Sequence, residues 1–193
     1  MKSKASPDVS PSLLHSLAAA LEQAADPFAV ENARLIALSD AVTATTTPTA
    51  RHRLSDGIWL DYENDKGVQT RIAPVTDGLQ LTLDTRGESR WYTFSYALNI
   101  DSLRQGRYLG QLIKTSGPGN ARFRICLRYI FPDGFRDVFA RNIVVRTGGA
   151  QEDLITLQLD PDLLQQARSA EILFFFEGQS FDITLNAVEA LLI

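Results

Sequence analysis

Ala121-Arg122-Phe123-Arg124-Ile125-Cys126-Leu127-Arg128-Tyr129-Ile130-Phe131 decides the fold class. In an extended chain Phe123, Ile125, Leu127, Tyr129 and Phe131 fall on one face. Arg122, Arg124, Cys126, Arg128 and Ile130 fall on the other. Side chains alternate along a strand, so an apolar row opposite a largely polar one describes a strand buried on one side. Trp91-Tyr92-Thr93-Phe94-Ser95-Tyr96-Ala97-Leu98-Asn99-Ile100 does the same. Tyr92, Phe94, Tyr96, Leu98 and Ile100 point inward there, and Trp91, Thr93, Ser95 and Asn99 outward. Working outward, strands are expected at 58–63, 68–75, 79–84, 107–115, 136–146, 154–159, 172–177 and 181–193. The turn groups between them are Asn64-Asp65-Lys66-Gly67, Thr76-Asp77-Gly78, Arg86-Gly87, Ser116-Gly117-Pro118-Gly119-Asn120, Pro132-Asp133-Gly134 and Gly148-Gly149. Asp160-Pro161-Asp162 opens a short helix running to Ala167. Short strands without an internal repeat predict a mostly β protein, a two-sheet antiparallel β-sandwich of the jelly-roll kind, and not a propeller.

The amino-terminal part has a different texture. Residues 1–10 read as a tail. Leu13, Leu14, Leu17, Leu21 and Ala24 recur at helical spacing. Asp26-Pro27 starts a second helix to Asp40, with Phe28, Val30, Ala33, Ile36 and Ala37 along it. Residues 43–50, rich in threonine and holding Pro48, read as a linker. The expected division is therefore 1–50, tail, helical arm and linker, and 51–193, the sandwich. The leucine stripe finds no partner within so short a segment. It must dock on the sandwich or on another chain, and in the second case a homo-oligomer would be joined through the arm.

The 193 residues are 45% hydrophobic and 22% charged, and the net charge is -4. No apolar run approaches the length of a membrane-spanning helix, so no membrane insertion is expected. The global charge gives no reason to expect nucleic acid. Between Arg104 and Arg146, however, nine basic residues face only Asp133 and Asp137. The single cysteine, Cys126, excludes an intrachain disulfide. Two readings of it stay open. Either Arg124 and Arg128 favour its thiolate, or it is a small residue buried between layers. Residues 1–25 show no secretory signal pattern, and a cytoplasmic location is expected.

Enzyme chemistry finds little support. His15 and His52 are the only imidazoles. There is no Gly-x-Ser-x-Gly elbow, no His-Glu-x-x-His pattern, and no Lys-Ser or Lys-Thr after the glycine loop at 116–120. Asp61, Glu63 and Asp65 alternate along a strand that ends in a turn. They allow a plain hairpin, oxygen ligands for calcium (Asp61 and Glu63), or a pair of catalytic carboxylates. Aromatic rings are the stronger lead, because sugars stack their C–H faces on them. Trp59, between Ile58 and Leu60, is expected to be buried. Trp91 falls outside the apolar register of its strand, and Tyr108 is a further candidate.

The region 51–193, about three quarters of the chain, resembles the galactose-binding-like, carbohydrate-binding-module type of jelly roll. The resemblance rests on Gly57-Ile58-Trp59, the 91–100 strand and the closing Phe181-Asp182-Ile183-Thr184-Leu185-Asn186-Ala187-Val188. It implies glycan binding, accessory to enzymes, and in many members a structural calcium; no other cofactor is expected. The amino-terminal arm is additional to a minimal module.

The leading expectation is a non-catalytic module that binds carbohydrate through Trp91, Tyr108, Arg122, Arg124 and Arg128. The three arginines span about 20 Å of strand at roughly 3.3 Å per residue and would suit an acidic glycan. If they are free, changing Arg124 and Arg128 to Gln should weaken binding and leave the melting temperature unchanged. The alternative is a structural or assembly domain making protein–protein contacts through the same arginines. A third reading is a small β-sandwich glycoside hydrolase using Asp61 and Glu63.

Overall fold

The computed structural model describes residues 26–63, 68–84, 91–177 and 180–193. The leucine stripe, His15, and the turns at 64–67 and 86–87 lie outside the described residues. Two short helices come first, α1 (Ala29–Ile36) and α2 (Leu38–Ala41). Then follow β1 (His52–Ser55), β2 (Ile58–Tyr62), β3 (Gln69–Val75), β4 (Gly78–Asp84), β5 (Tyr92–Leu98), α3 (Ile100–Leu103), β6 (Tyr108–Ser116) and β7 (Asn120–Phe131). The chain closes with β8 (Gly134–Thr147), β9 (Gln151–Gln158), α4 (Pro161–Gln166), β10 (Ser169–Phe176) and β11 (Phe181–Leu192). A six-stranded sheet, ordered β1-β2-β5-β10-β7-β8, and a five-stranded sheet, ordered β3-β4-β11-β6-β9, enclose one core. Every pairing between these strands is antiparallel. This is the expected two-sheet β-sandwich.

Alternation builds the core. The inward residues of β7 (Phe123, Ile125, Leu127, Tyr129) and β5 (Tyr92, Phe94, Tyr96) are almost completely buried. Phe174 of β10 lies 5.4 Å edge-on from Phe94 and 5.6 Å in a stack with Phe123. Phe176 stacks on Phe181 of the opposite sheet at 4.3 Å. Two buried polar groups are satisfied inside. The Tyr96 hydroxyl donates to Gln111 Oε1, and Gln111 Nε2 donates to the Gly110 carbonyl at 3.0 Å. Arg146, counted in the basic segment, is fully buried. It donates to Thr115 Oγ1 at 3.0 Å and to the carbonyls of Gly119 (3.2 Å), Gly117 (3.1 Å) and Gly149. It ties two glycine loops together, and burial lowers its pKa.

Several local expectations are corrected. The strand expected at 91–100 ends at Leu98, because Asn99 caps α3, its Oδ1 accepting from Asp101 N at 2.9 Å and Ser102 N at 3.4 Å. The helix expected from Asp26 to Asp40 is broken at Ala37 into α1 and α2. Strand β1 lies where no strand is expected. Pro74 sits in edge strand β3, where a missing N–H costs no ladder bond.

Residues 28–46 close one side of the sandwich. Phe28, Leu38 and Val42 belong to the core shared by both sheets. Beyond Leu185, strand β11 has no β4 neighbour. There Asn32 takes the place of a strand, donating to Ala190 O at 3.0 Å and accepting from Ala190 N at 2.8 Å. Thr46 and Ile72 exchange two backbone hydrogen bonds of 2.9 Å beside β3. The opposite side, between edge strands β8 and β9, carries no such cover among the described residues.

Candidate binding face

The outer face of the six-stranded sheet is read from its register. One row runs Arg53, Trp59, Ser95, Leu173, Cys126, Phe139. A second runs Asp61, Thr93, Phe175, Arg124, Ile143, and a third Ala97, Glu171, Arg128, Asp137. Arg122 continues the arginine column one step past Arg124. The predicted arginine column therefore exists, and its three members point the same way.

They are not equivalent. Arg128 lies opposite Asp137 and donates to both carboxylate oxygens, Nε to Oδ1 at 2.7 Å and Nη2 to Oδ2 at 2.8 Å. Its guanidinium sits 4.0 Å above the Phe135 ring. Arg124 Nη2 is 2.7 Å from Glu177 Oε1, and its guanidinium lies 4.3 Å above the Phe139 ring. Phe139 in turn meets Phe175 edge-on at 5.8 Å. Arg122 is exposed and forms no ion pair among the described residues. Glu171, the other ladder neighbour of Arg128, has its carboxyl pushed up by burial, against the pull of Arg128. The face thus alternates rings and opposed charges instead of offering a free basic strip.

Cys126 settles one open reading. It is fully buried, and burial pushes its thiol up to about 12, with Asp137 adding to the shift. The cation-activated thiolate is overturned: Arg124 and Arg128 spend their charge on carboxylates and leave the sulfur in an apolar row between Leu173 and Phe139.

The remaining candidates are scattered. Trp59 is half-buried on the outer face, not packed into the core. Trp91 is half-buried, one residue before β5, and its carbonyl accepts from Glu63 N at 3.3 Å. Tyr108 belongs to the other sheet, in β6, and is 43% exposed. The structure does not bring it together with Trp91 and the arginines. Asp61 Oδ1 accepts from the backbone N–H of Arg51 and of Tyr62, both at 3.0 Å, and Oδ2 lies 3.5 Å from Arg51 Nε. Glu63 follows it half-buried at the end of β2. Among the described residues no group of three or more His, Cys, Asp or Glu could hold a metal ion. Sequence reasoning missed Phe135, Phe139, Phe175, Asp137, Glu171 and Glu177. The first and fourth were within reach: the hairpin turn at Pro132-Asp133 pairs Phe131 with Gly134, and counting back sets Ile130 opposite Phe135 and Arg128 opposite Asp137.

No protein-family model matches the sequence, and no curated protein matches it. Solved structures do. A carbohydrate-binding module of the CBM4 type superposes with a TM-score of 0.51 at 15% identity, over 70% of this chain and 87% of that one. The family 11 carbohydrate-binding module of a Clostridium thermocellum cellulosomal cellulase gives 0.49 at 11% identity, over 77% and 94%. The enzymatically active domain of tailspike protein 4 of bacteriophage CBA120 gives 0.44 at 14% identity, and this chain spans only 19% of that one. At such identities the likeness is one of fold. The fold is the β-sandwich jelly roll of carbohydrate-binding modules. No helix among the described residues is long and apolar enough to cross a membrane.

Proposed function

We propose that the outer face of the six-stranded sheet is a non-catalytic carbohydrate-binding surface, and that its ligand is a neutral glycan. The observation that carries this is the interleaving of half-buried rings with paired charges. Trp59 and Phe175 offer ring surfaces, Phe139 backs the Arg124 guanidinium, and Arg124–Glu177 and Arg128–Asp137 offer donors and acceptors fixed in place. Sugar hydroxyls both donate and accept, so held pairs of opposite charge suit them. An acidic polymer gains little where two of the three arginines already hold carboxylates and Glu171 adds another acidic group. The fold shared with a CBM4 module supports the reading.

Titration with soluble mixed-linkage β-glucan and xylan, with polygalacturonate beside them, tests the proposal. A neutral polymer should bind, and Trp59→Ala or Phe175→Ala should weaken it about tenfold, the ~1.4 kcal/mol that stacking contacts reach. Failure of every neutral polymer would remove the reading. A second reading has its own observation. Phe135 (61% exposed), Ile143 and Val145 form an apolar edge on β8, which suits a protein contact. A solution mass above that of one chain, reduced by Val145→Asp, would favour assembly.

A further inference from the structure

The open side of the sandwich holds a cavity of about 400 Å³ between β8 and β9, lined in part by Tyr108, Arg141, Asn142, Thr156 and Gln158. Its origin is a break in register. Cys126 pairs with Phe139 and Arg124 with Ile143, so β8 spends two more residues than β7 over the same span. The surplus carries Arg141 and Asn142 to the sheet edge. Bulges recur where a strand must re-aim side chains at a ligand.

The lining separates this cavity from the others. The pocket of about 480 Å³ beside Lys114 and Asn186 has its cation and its amide engaged: Lys114 Nζ lies 3.3 Å from Glu152 Oε2, and Asn186 Nδ2 donates to Asp77 O at 2.9 Å. The space of about 30 Å³ under α1 and α2 has room for about one water. Around the β8–β9 cavity, Arg141, Asn142, Thr156 and Gln158 make no side-chain hydrogen bond or ion pair among the described residues. No acidic residue lines it. Tyr108, which the binding face leaves stranded, supplies a partly exposed ring.

We propose that this cavity is a second binding site, specific for an acidic sugar unit such as a hexuronate. Arg141 takes the carboxylate through its planar fork, Tyr108 packs against the ring face, and Asn142, Thr156 and Gln158 meet the hydroxyls. The site adjoins the neutral-glycan face at Phe139, which lines both, but Tyr108, Arg141, Asn142, Thr156 and Gln158 take no part in that face. The anionic recognition anticipated for Arg122, Arg124 and Arg128 passes to Arg141, which lines a cavity and is held by no carboxylate among the described residues.

Digalacturonate and cellobiose, titrated calorimetrically against the whole chain, test it. Digalacturonate should bind and cellobiose should not compete for the same site. Arg141→Gln should weaken digalacturonate at least tenfold, and Tyr108→Ala should weaken it too. Trp59→Ala should leave it unchanged, and Arg141→Gln should not shift the melting temperature, since the Arg141 side chain makes no hydrogen bond or ion pair among the described residues. No binding of digalacturonate, equal competition by cellobiose, or binding indifferent to Arg141→Gln would overturn the proposal. Loss of neutral-polymer binding in the same protein would count against the face alone.

Discussion

Replacing Arg128 by Gln should destabilise the protein, although the sequence alone predicts an unchanged melting temperature. The Arg128 and Asp137 side chains are 26% and 24% exposed, so their pair is screened only in part. The substitution removes two charge-assisted hydrogen bonds and leaves the Asp137 carboxylate half-buried, with Glu171 on the other side of Arg128. Hydrogen bonds to charged groups are worth about 1.5–3 kcal/mol each before discounting for solvent. The pair should then show a coupling of about 1–2 kcal/mol, and Arg128→Gln should cost about 2 kcal/mol. For a chain of this size that is roughly 4–8 °C in Tm. A double-mutant cycle of Arg128→Gln, Asp137→Asn and the pair, followed by urea denaturation, isolates the coupling. Additivity to within about 0.5 kcal/mol would refute the claim that these arginines are engaged by the protein itself.

Glu171→Gln should stabilise the fold at pH 7. Its folded pKa lies above the ordinary value of 4.5, so ionisation costs stability as pH rises through the folded pKa; the advantage of Gln should vanish below about pH 4, and an advantage that persists there would contradict the assignment. Cys126, buried with its thiol near 12, should resist a thiol reagent at pH 8 until denaturant is added, whereas labelling within seconds in native buffer would show the outer face open to its backbone. Arg146→Leu should cost about 2–4 kcal/mol by orphaning the acceptors at Thr115, Gly117, Gly119 and Gly149, and a loss below about 1 kcal/mol would mean that water replaces it.

What the sequence disclosed follows from what is local. The alternation in β5 and β7 and the glycine, proline and aspartate turns are written within a few residues, and they place nearly every long strand. Strand β1 escaped because His52-Arg53-Leu54-Ser55 has one apolar residue and no alternation to read. Phe175 escaped because Leu173-Phe174-Phe175-Phe176 is apolar throughout. Only its pairing with Thr93 and Arg124 shows that it faces outward while Phe174 and Phe176 face the core. The arginine column was legible, but its charge state was not. Glu177 reaches Arg124 from one residue past β10, more than fifty residues downstream, by a strand pairing that no local pattern encodes. Tyr108 and Trp91 looked alike as exposed rings, and only the sheet order sets them on opposite layers.

The central claim is that the outer face of the six-stranded sheet holds a neutral glycan. Amide and indole chemical-shift mapping during titration with a soluble mixed-linkage β-glucan oligosaccharide tests it most directly. The account predicts shifts clustered at Trp59, Ser95, Arg124, Leu173 and Phe175, with Leu154 and Lys114 of the five-stranded sheet unmoved. Shifts confined to the five-stranded sheet, or none across a panel of neutral oligosaccharides, would contradict it.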